Sequence, residues 1–216
     1  RCYRLGRRVE QIPGMGVDFS RFPAVSPQER LALRREHGIN ADAFVLLYAA
    51  EFSPRKSQAT LLRAMPLLPQ HVVLALPGQG ALLDECRRLA EDLGVGDRVI
   101  FPGYCAAMAS WYALADCAVS ASRSEGLPFN IMEAMHASLP VVATAVKGHT
   151  DLVTPGQTGL LFPYGDEAAF AGAIEDLLAE PDRTAAMGRA AAQAAEPYEL
   201  SRVLPQVMEL YLSAVQ

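Results

Sequence analysis

Short, wholly apolar runs recur along this chain with helix-length stretches between them, and no other feature restricts its fold as strongly. Phe44-Val45-Leu46-Leu47-Tyr48-Ala49-Ala50 is apolar at every position, as a strand covered on both faces must be. Residues 71–76 predict a second strand, stopped by Pro77-Gly78-Gln79-Gly80, and 98–101, 116–121, 140–144 and 159–162 predict four more. Between them Ala59, Leu61, Leu62 and Met65 fall at helical spacing, and a helix over 81–93 closes on Gly94, a residue suited to the left-handed cap. One further helix carries Trp111-Tyr112 and another starts near Pro128; beyond Gly165 the pattern is helical throughout, over 166–179, 182–195 and 199–215. Strands separated by helices make βαβ units. The expected fold is therefore α/β, a Rossmann-like doubly wound parallel sheet with helices on both faces and a helical C-terminal part. Such sheets bind ligands beyond the carboxyl ends of their strands, which directs attention to the loops after residues 50, 76, 103, 121 and 144.

Composition removes several classes. The 216 residues are 51% apolar and 20% charged, which is globular and not disordered. No apolar run approaches the roughly 20 residues that span a bilayer. A net charge of −5 argues against general nucleic-acid binding. Cys2, Cys86, Cys105 and Cys117 are widely spaced, as reduced thiols of a cytosolic protein would be, and no Asp-x-Asp pair or His cluster predicts a metal. The chain opens on Arg1 with no signal-type stretch, so its start reads as a cut inside a longer protein. Residues 1–22 read as a linker whose Arg1, Arg4, Arg7 and Arg8 form either a solvated face or one turned to a membrane or a diphosphate. Residues 23–195 read as the sheet domain, and 196–216 as a tail helix with Leu200, Val203, Leu204, Val207, Leu210 and Tyr211 on one stripe.

Three loops carry the chemistry-bearing residues. After the first strand comes Glu51-Phe52-Ser53-Pro54-Arg55-Lys56-Ser57-Gln58, which places two cations in the first turn of a helix, against its dipole. They are either solvent-exposed or a phosphate clamp. Gly78, in the turn after the second strand, allows backbone to approach a ligand closely, though a plain tight turn would use it equally. The longest motif runs from Ser120 to Met135. In it Pro128 suits a first helical position, Gly126 permits an unusual turn, and the N–H groups of 126–130 would face the crevice as a diphosphate site. Asn130, Glu133, Ala134 and Ala137 share one side of that helix, with Glu125 a turn before it. Ionised carboxylates eight residues apart suit the vicinal hydroxyls of a ribose or hexose; two glutamates favoured by a helix dipole are the ordinary alternative.

In this order, the residues resemble the carboxyl-terminal half of a family 4 retaining glycosyltransferase of the GT-B fold, of the bacterial exopolysaccharide or capsule type. The resemblance is carried by Ile12 to Asp18, Glu51 to Met65, Arg98 to Tyr104, the E-x7-E element Glu125–Glu133, and Gly148 to Val153. It implies a nucleotide-diphosphate sugar, a UDP-sugar, as donor substrate, with no separate cofactor. Lys56 and Glu125 take catalytic roles by that resemblance, Lys56 on the donor diphosphate and Glu125 near the donor sugar. By the same resemblance, backbone N–H groups in the stretch Gly126, Leu127, Pro128, Phe129 contact sugar and phosphate, Glu133 binds the ribose, Asn130 is a further donor-binding residue, and Tyr104 lies near the base. Glu51 stands where most members carry a diphosphate-binding arginine, which leaves the charge balance to Lys56 with Arg55 or Arg123.

The implied activity is retaining transfer of a hexose or N-acetylhexosamine to a lipid-linked or saccharide acceptor in surface-polysaccharide synthesis. A first, acceptor-binding domain would complete the enzyme and bring it as a peripheral protein to the inner face of the membrane from the cytoplasm; alone, this half would bind donor and transfer little. A non-catalytic nucleotide-sugar-binding partner module of the same fold stays open as the alternative. A dinucleotide-binding oxidoreductase domain fits poorly, because no G-x-G-x-x-G turn follows the first strand.

Overall fold

The computed structural model describes residues 12–215, so Arg1, Arg4, Arg7, Arg8 and Cys2 lie outside the described residues. Its strands are β1 (Phe44–Leu47), β2 (Val72–Ala75), β3 (Val99–Ile100), β4 (Cys117–Ser120), β5 (Val141–Thr144) and β6 (Gly159–Phe162). They form one sheet of order β3-β2-β1-β4-β5-β6, parallel throughout, with Leu46 opposite both Leu74 and Cys117. Along β1 the apolar run divides by pleat. Leu46 and Tyr48 join Leu61, Leu74, Phe170 and Ile174 on one face, while Val45 and Leu47 join Trp111, Ile131 and Met135 on the other. A strand buried on both faces needs no polar alternation, which is why the run is continuous.

The helices on the first face are α2 (Gln58–Ala64), α3 (Leu83–Asp92) and α6 (Glu167–Ala179). On the second lie α4 (Met108–Leu114), α5 (Phe129–His136) and the end of α7 (Pro181–Ala195). The six predicted strands are all present, the first five trimmed at their ends and β6 over the residues expected. β3 is the shortest because Arg98 leaves it for the preceding turn, where its buried guanidinium donates to the carbonyls of Met65 (2.9 Å) and Pro69 (3.0 Å). Gly94 takes φ +68° after α3, the left-handed cap its sequence position predicts.

Three local expectations change. Pro128 is the N-cap residue of α5, not its first helical residue, with φ −75° and ψ 107°. Arg55 and Lys56 precede α2, whose N-cap is Ser57, so they form a turn before the helix and do not oppose its dipole from the first turn. A helix also occupies part of the stretch between linker and first strand: α1 (Pro27–Glu36). It opens on a capping box, with Ser26 Oγ accepting from the Glu29 N–H at 3.2 Å and Glu29 Oε2 from the Ser26 N–H at 2.7 Å.

The tail helix α8 (Leu200–Val215) contains Pro205 and starts beside the opening segment, where the Val17 N–H donates to Tyr198 O and the Leu200 N–H to Val17 O. Val203 is buried there; Leu204, Met208, Tyr211 and Leu212 are exposed. No helix among the described residues is long and apolar enough to cross a membrane.

Candidate functional site

The order of strand addition reverses between β1 and β4, and a crevice opens there because the loops after these two parallel strands leave toward opposite faces of the sheet. The loop after β1 carries Arg55 and Lys56, and the loop after β4 carries Glu125. The structure brings all three side chains together. Lys56 Nζ lies 2.5 Å from Glu125 Oε1, and Arg55 donates to Glu125 Oε2 at 3.1 Å and to the Ser124 carbonyl at 3.2 Å. Glu125 is only 7% exposed and Lys56 12%, whereas Arg55 is half-exposed. Burial alone would raise the Glu125 pKa. Hydrogen bonds from Lys56 and Ser122 and the charges of Lys56 and Arg55 outweigh it and hold the carboxyl below its ordinary value. Neither cation is free: both are held on one carboxylate, and the trio carries one net positive charge. Arg123 is exposed, its N–H donates to Arg55 O at 2.8 Å, and its side chain makes no ion pair among the described residues.

Beneath this trio lies a polar network that the sequence reading did not single out. Tyr48 Oη shares a hydrogen bond with Ser122 Oγ (2.7 Å) and donates to Lys56 O (3.0 Å). Thr144 Oγ1 donates to Ser122 O (2.6 Å) and lies 3.0 Å from His149 Nδ1. Tyr48, Ser122, Thr144 and His149 are all buried, and they tie together the ends of β1, β4 and β5. Nothing local in the sequence marks them as a group; only the pairing of β1 with β4 and β4 with β5 places them side by side.

The α5 residues sit against the same crevice. Pro128 is buried and Phe129 partly exposed, while Gly126 is exposed and Leu127 packs against Gly14 of the opening segment. The N–H groups of Gly126, Leu127, Phe129 and Asn130 make no hydrogen bond among the described residues, so a positive helix end faces outward unpaired. Asn130 Nδ2 donates to Ala49 O at 3.1 Å, which pins α5 to the end of β1. Glu133 Oε2 accepts from the Tyr112 hydroxyl at 2.8 Å. Burial raises its pKa, against the opposing effects of that hydrogen bond and of the Arg21 charge. No hydrogen bond links Glu133 to Glu125.

Glu51, Gly78 and Tyr104 form a second group, lining with Gly80, Cys105 and Met108 a cavity of 690 Å³. Tyr104 is 72% exposed and Glu51 is exposed. The cavity wall is fixed by backbone: the Ala50 N–H donates to Pro77 O and the Gly78 N–H to Gly103 O. At Gly78, with φ +154°, a Cβ would fall 2.0 Å from Ala50 O, so the two loops can meet only around glycine. A larger cavity of 1040 Å³ opens at the amino ends of the strands, among Phe22, Arg30, Phe44, Asp116 and Pro140. The unpaired N–H groups and the cation cluster are at the carboxyl ends, where open parallel sheets take ligands, so the smaller cavity is the better placed ligand site. Among the described residues no three His, Cys, Asp or Glu side chains gather as a metal site.

Residues 29–194 match the family described as Glycosyl transferases group 1. EpsD of Bacillus subtilis (strain 168), named as a glycosyltransferase, is 36% identical over 96% of this chain and 55% of its own length. A GDP-mannose-dependent alpha-(1-6)-phosphatidylinositol monomannoside mannosyltransferase of Mycolicibacterium smegmatis is 36% identical over 83% of this chain and 50% of its own. Among solved structures, Anabaena Alr3699/HepE in complex with UDP and glucose superposes with a TM-score of 0.87 at 28% identity, over 92% of this chain and 55% of that one. The chain therefore spans about half the length of the relatives it matches.

Proposed function

Since the chain belongs to the group 1 glycosyl transferase family, with the GT-B type of α/β domain, we propose that it is the donor-binding half of a family 4 retaining enzyme of bacterial surface-polysaccharide synthesis. The donor is a nucleotide-diphosphate sugar, a UDP-sugar, and the transferred group a hexose or N-acetylhexosamine. The observation that carries this reading is the Arg55–Lys56–Glu125 cluster at the strand-order reversal, with Glu125 on the loop that leads into the unpaired N–H groups at the start of α5. Breaking a glycosyl–phosphate bond leaves new negative charge on the diphosphate. Fixed cations and oriented N–H groups stabilise that charge without reorganising, which is where catalytic advantage arises. In this arrangement Lys56 meets the diphosphate, Glu125 accepts from a sugar hydroxyl, Glu133 and Asn130 lie toward the ribose, and the base enters the 690 Å³ cavity beside Tyr104. The anchored backbone around Gly78 gives that cavity a fixed wall.

The remaining half is an acceptor-binding domain, supported by relatives about twice this length. The exposed apolar side chains of α8 pack on that domain, and through it the cytoplasmic enzyme meets the membrane as a peripheral protein. The test is sugar transfer from UDP-glucose and UDP-N-acetylglucosamine by the longer protein that contains this chain. Transfer with retained anomeric configuration is expected, falling about a hundredfold or more in Lys56→Ala. Undiminished transfer by that variant would remove Lys56 from the mechanism; absence of transfer with any sugar nucleotide would favour a binding module.

A further inference from the structure

We propose that His149 is a positioning residue for Glu125, acting through Thr144 and Ser122 to hold that carboxylate where a donor sugar meets it; this rests on the donor-site reading. His149 follows β5 and is wholly buried. Its Nδ1 lies 2.9 Å from Thr144 O and 3.0 Å from Thr144 Oγ1. A carbonyl oxygen only accepts, so in the neutral ring Nδ1 carries the proton. Thr144 Oγ1 directs its own proton to Ser122 O at 2.6 Å and therefore accepts from the imidazole. The result is a one-directional relay of hydrogen bonds, His149 to Thr144 to Ser122, that crosses from the loop after β5 to the loop after β4 and ends just before Glu125.

The residue before His149 presses on the same loop. Gly148 has φ +91°, and a Cβ there would lie 2.7 Å from Gly126 O and 2.8 Å from Glu125 Cβ. Meanwhile His149 Nε2 is buried with no hydrogen-bond partner among the described residues. An unpartnered buried acceptor is destabilising, and an apolar side chain of similar size would avoid it. The imidazole is explained by what its other nitrogen does, which is to fix the Thr144 hydroxyl and through it the Ser122–Glu125 loop. Burial keeps the ring neutral, so this donor pattern persists at neutral pH.

Isothermal titration of the chain with UDP and with UDP-glucose tests the assignment. In His149→Leu, and in Thr144→Val, which breaks the same relay at its middle, UDP-glucose binding is expected to weaken about three- to tenfold. UDP itself, which lacks the sugar, should stay within about twofold of wild type. His149→Asn hangs an N–H donor from the same Cγ position and should restore most of the loss. Equal weakening of both ligands, or an unchanged ratio between them in both variants, would overturn the proposal. Thermal unfolding checks each variant; if His149→Leu fails to fold, Thr144→Val decides. Wild-type chain that binds neither ligand would instead refute the UDP-sugar donor reading on which this one stands.

Discussion

Glu125 and Glu133 are the same residue type on the same motif, yet their surroundings push them in opposite directions. Lys56, Ser122 and Arg55 hold Glu125 below its ordinary pKa, so its ionised form favours the fold; that contribution is complete above about pH 4.5 and is lost as pH falls through the lowered value. Burial raises the Glu133 pKa, so there the sign is reversed: stability is greatest at low pH and declines as pH rises from 4.5 through the raised value. Glu133→Gln keeps an acceptor for the Tyr112 hydroxyl and removes the buried charge. It should therefore unfold at the same or a higher temperature than wild type at neutral pH, with a flatter pH dependence, while binding nucleotide more weakly, as calorimetry and titration would show. A lower melting temperature with unchanged nucleotide binding would reverse the assignment. The carboxylate pair was legible in the sequence as spacing. Its electrostatics were not, because they depend on Lys56, some seventy residues away in sequence, folding back onto Glu125 at 2.5 Å.

At the scale of elements, hydrophobic patterning found every strand because each is apolar on both faces, and it missed α1 for the converse reason. The buried residue of that helix is a cation. Arg34 donates to Leu114 O (3.0 Å), Ala43 O (3.0 Å) and Asp116 Oδ2 (2.6 Å), and Asp116 also takes the Val45 N–H at 2.7 Å. The visible sign was the capping box Ser26–Glu29, not periodicity. Asp116 thus clamps α1 to the starts of β1 and β4, and Asp116→Ala leaves a buried guanidinium without its carboxylate. Chemical denaturation should show a loss of about 2–3 kcal/mol, discounted from a fully buried pair because Asp116 is partly exposed. A loss under about 0.5 kcal/mol would mean that the carbonyls alone hold Arg34. The polar network of Tyr48, Ser122, Thr144 and His149 was equally hidden, since it spans three strand ends and exists only once the sheet order is known.

Taken whole, the molecule is one doubly wound sheet with the ion-paired Arg55, Lys56 and Glu125 gathered at the point where strand order reverses, and with an opening segment and a tail helix that meet at Val17 and Leu200. Fold class and loop positions followed from the alternation of strands and helices, and the residues proposed for the site came from those loops and from the family resemblance. The locking of both cations onto Glu125 did not. Because of that locking, removing Lys56 should both delete a phosphate contact and leave Glu125 less compensated beside the incoming diphosphate. Isothermal titration of wild-type and Lys56→Ala chain with UDP, GDP and ADP measures this directly. At least one nucleotide should bind the wild-type chain, and Lys56→Ala should bind it about tenfold or more weakly, as loss of a charge-assisted hydrogen bond requires. Full-strength binding by the variant, or none by the wild type, would contradict a diphosphate site at Lys56.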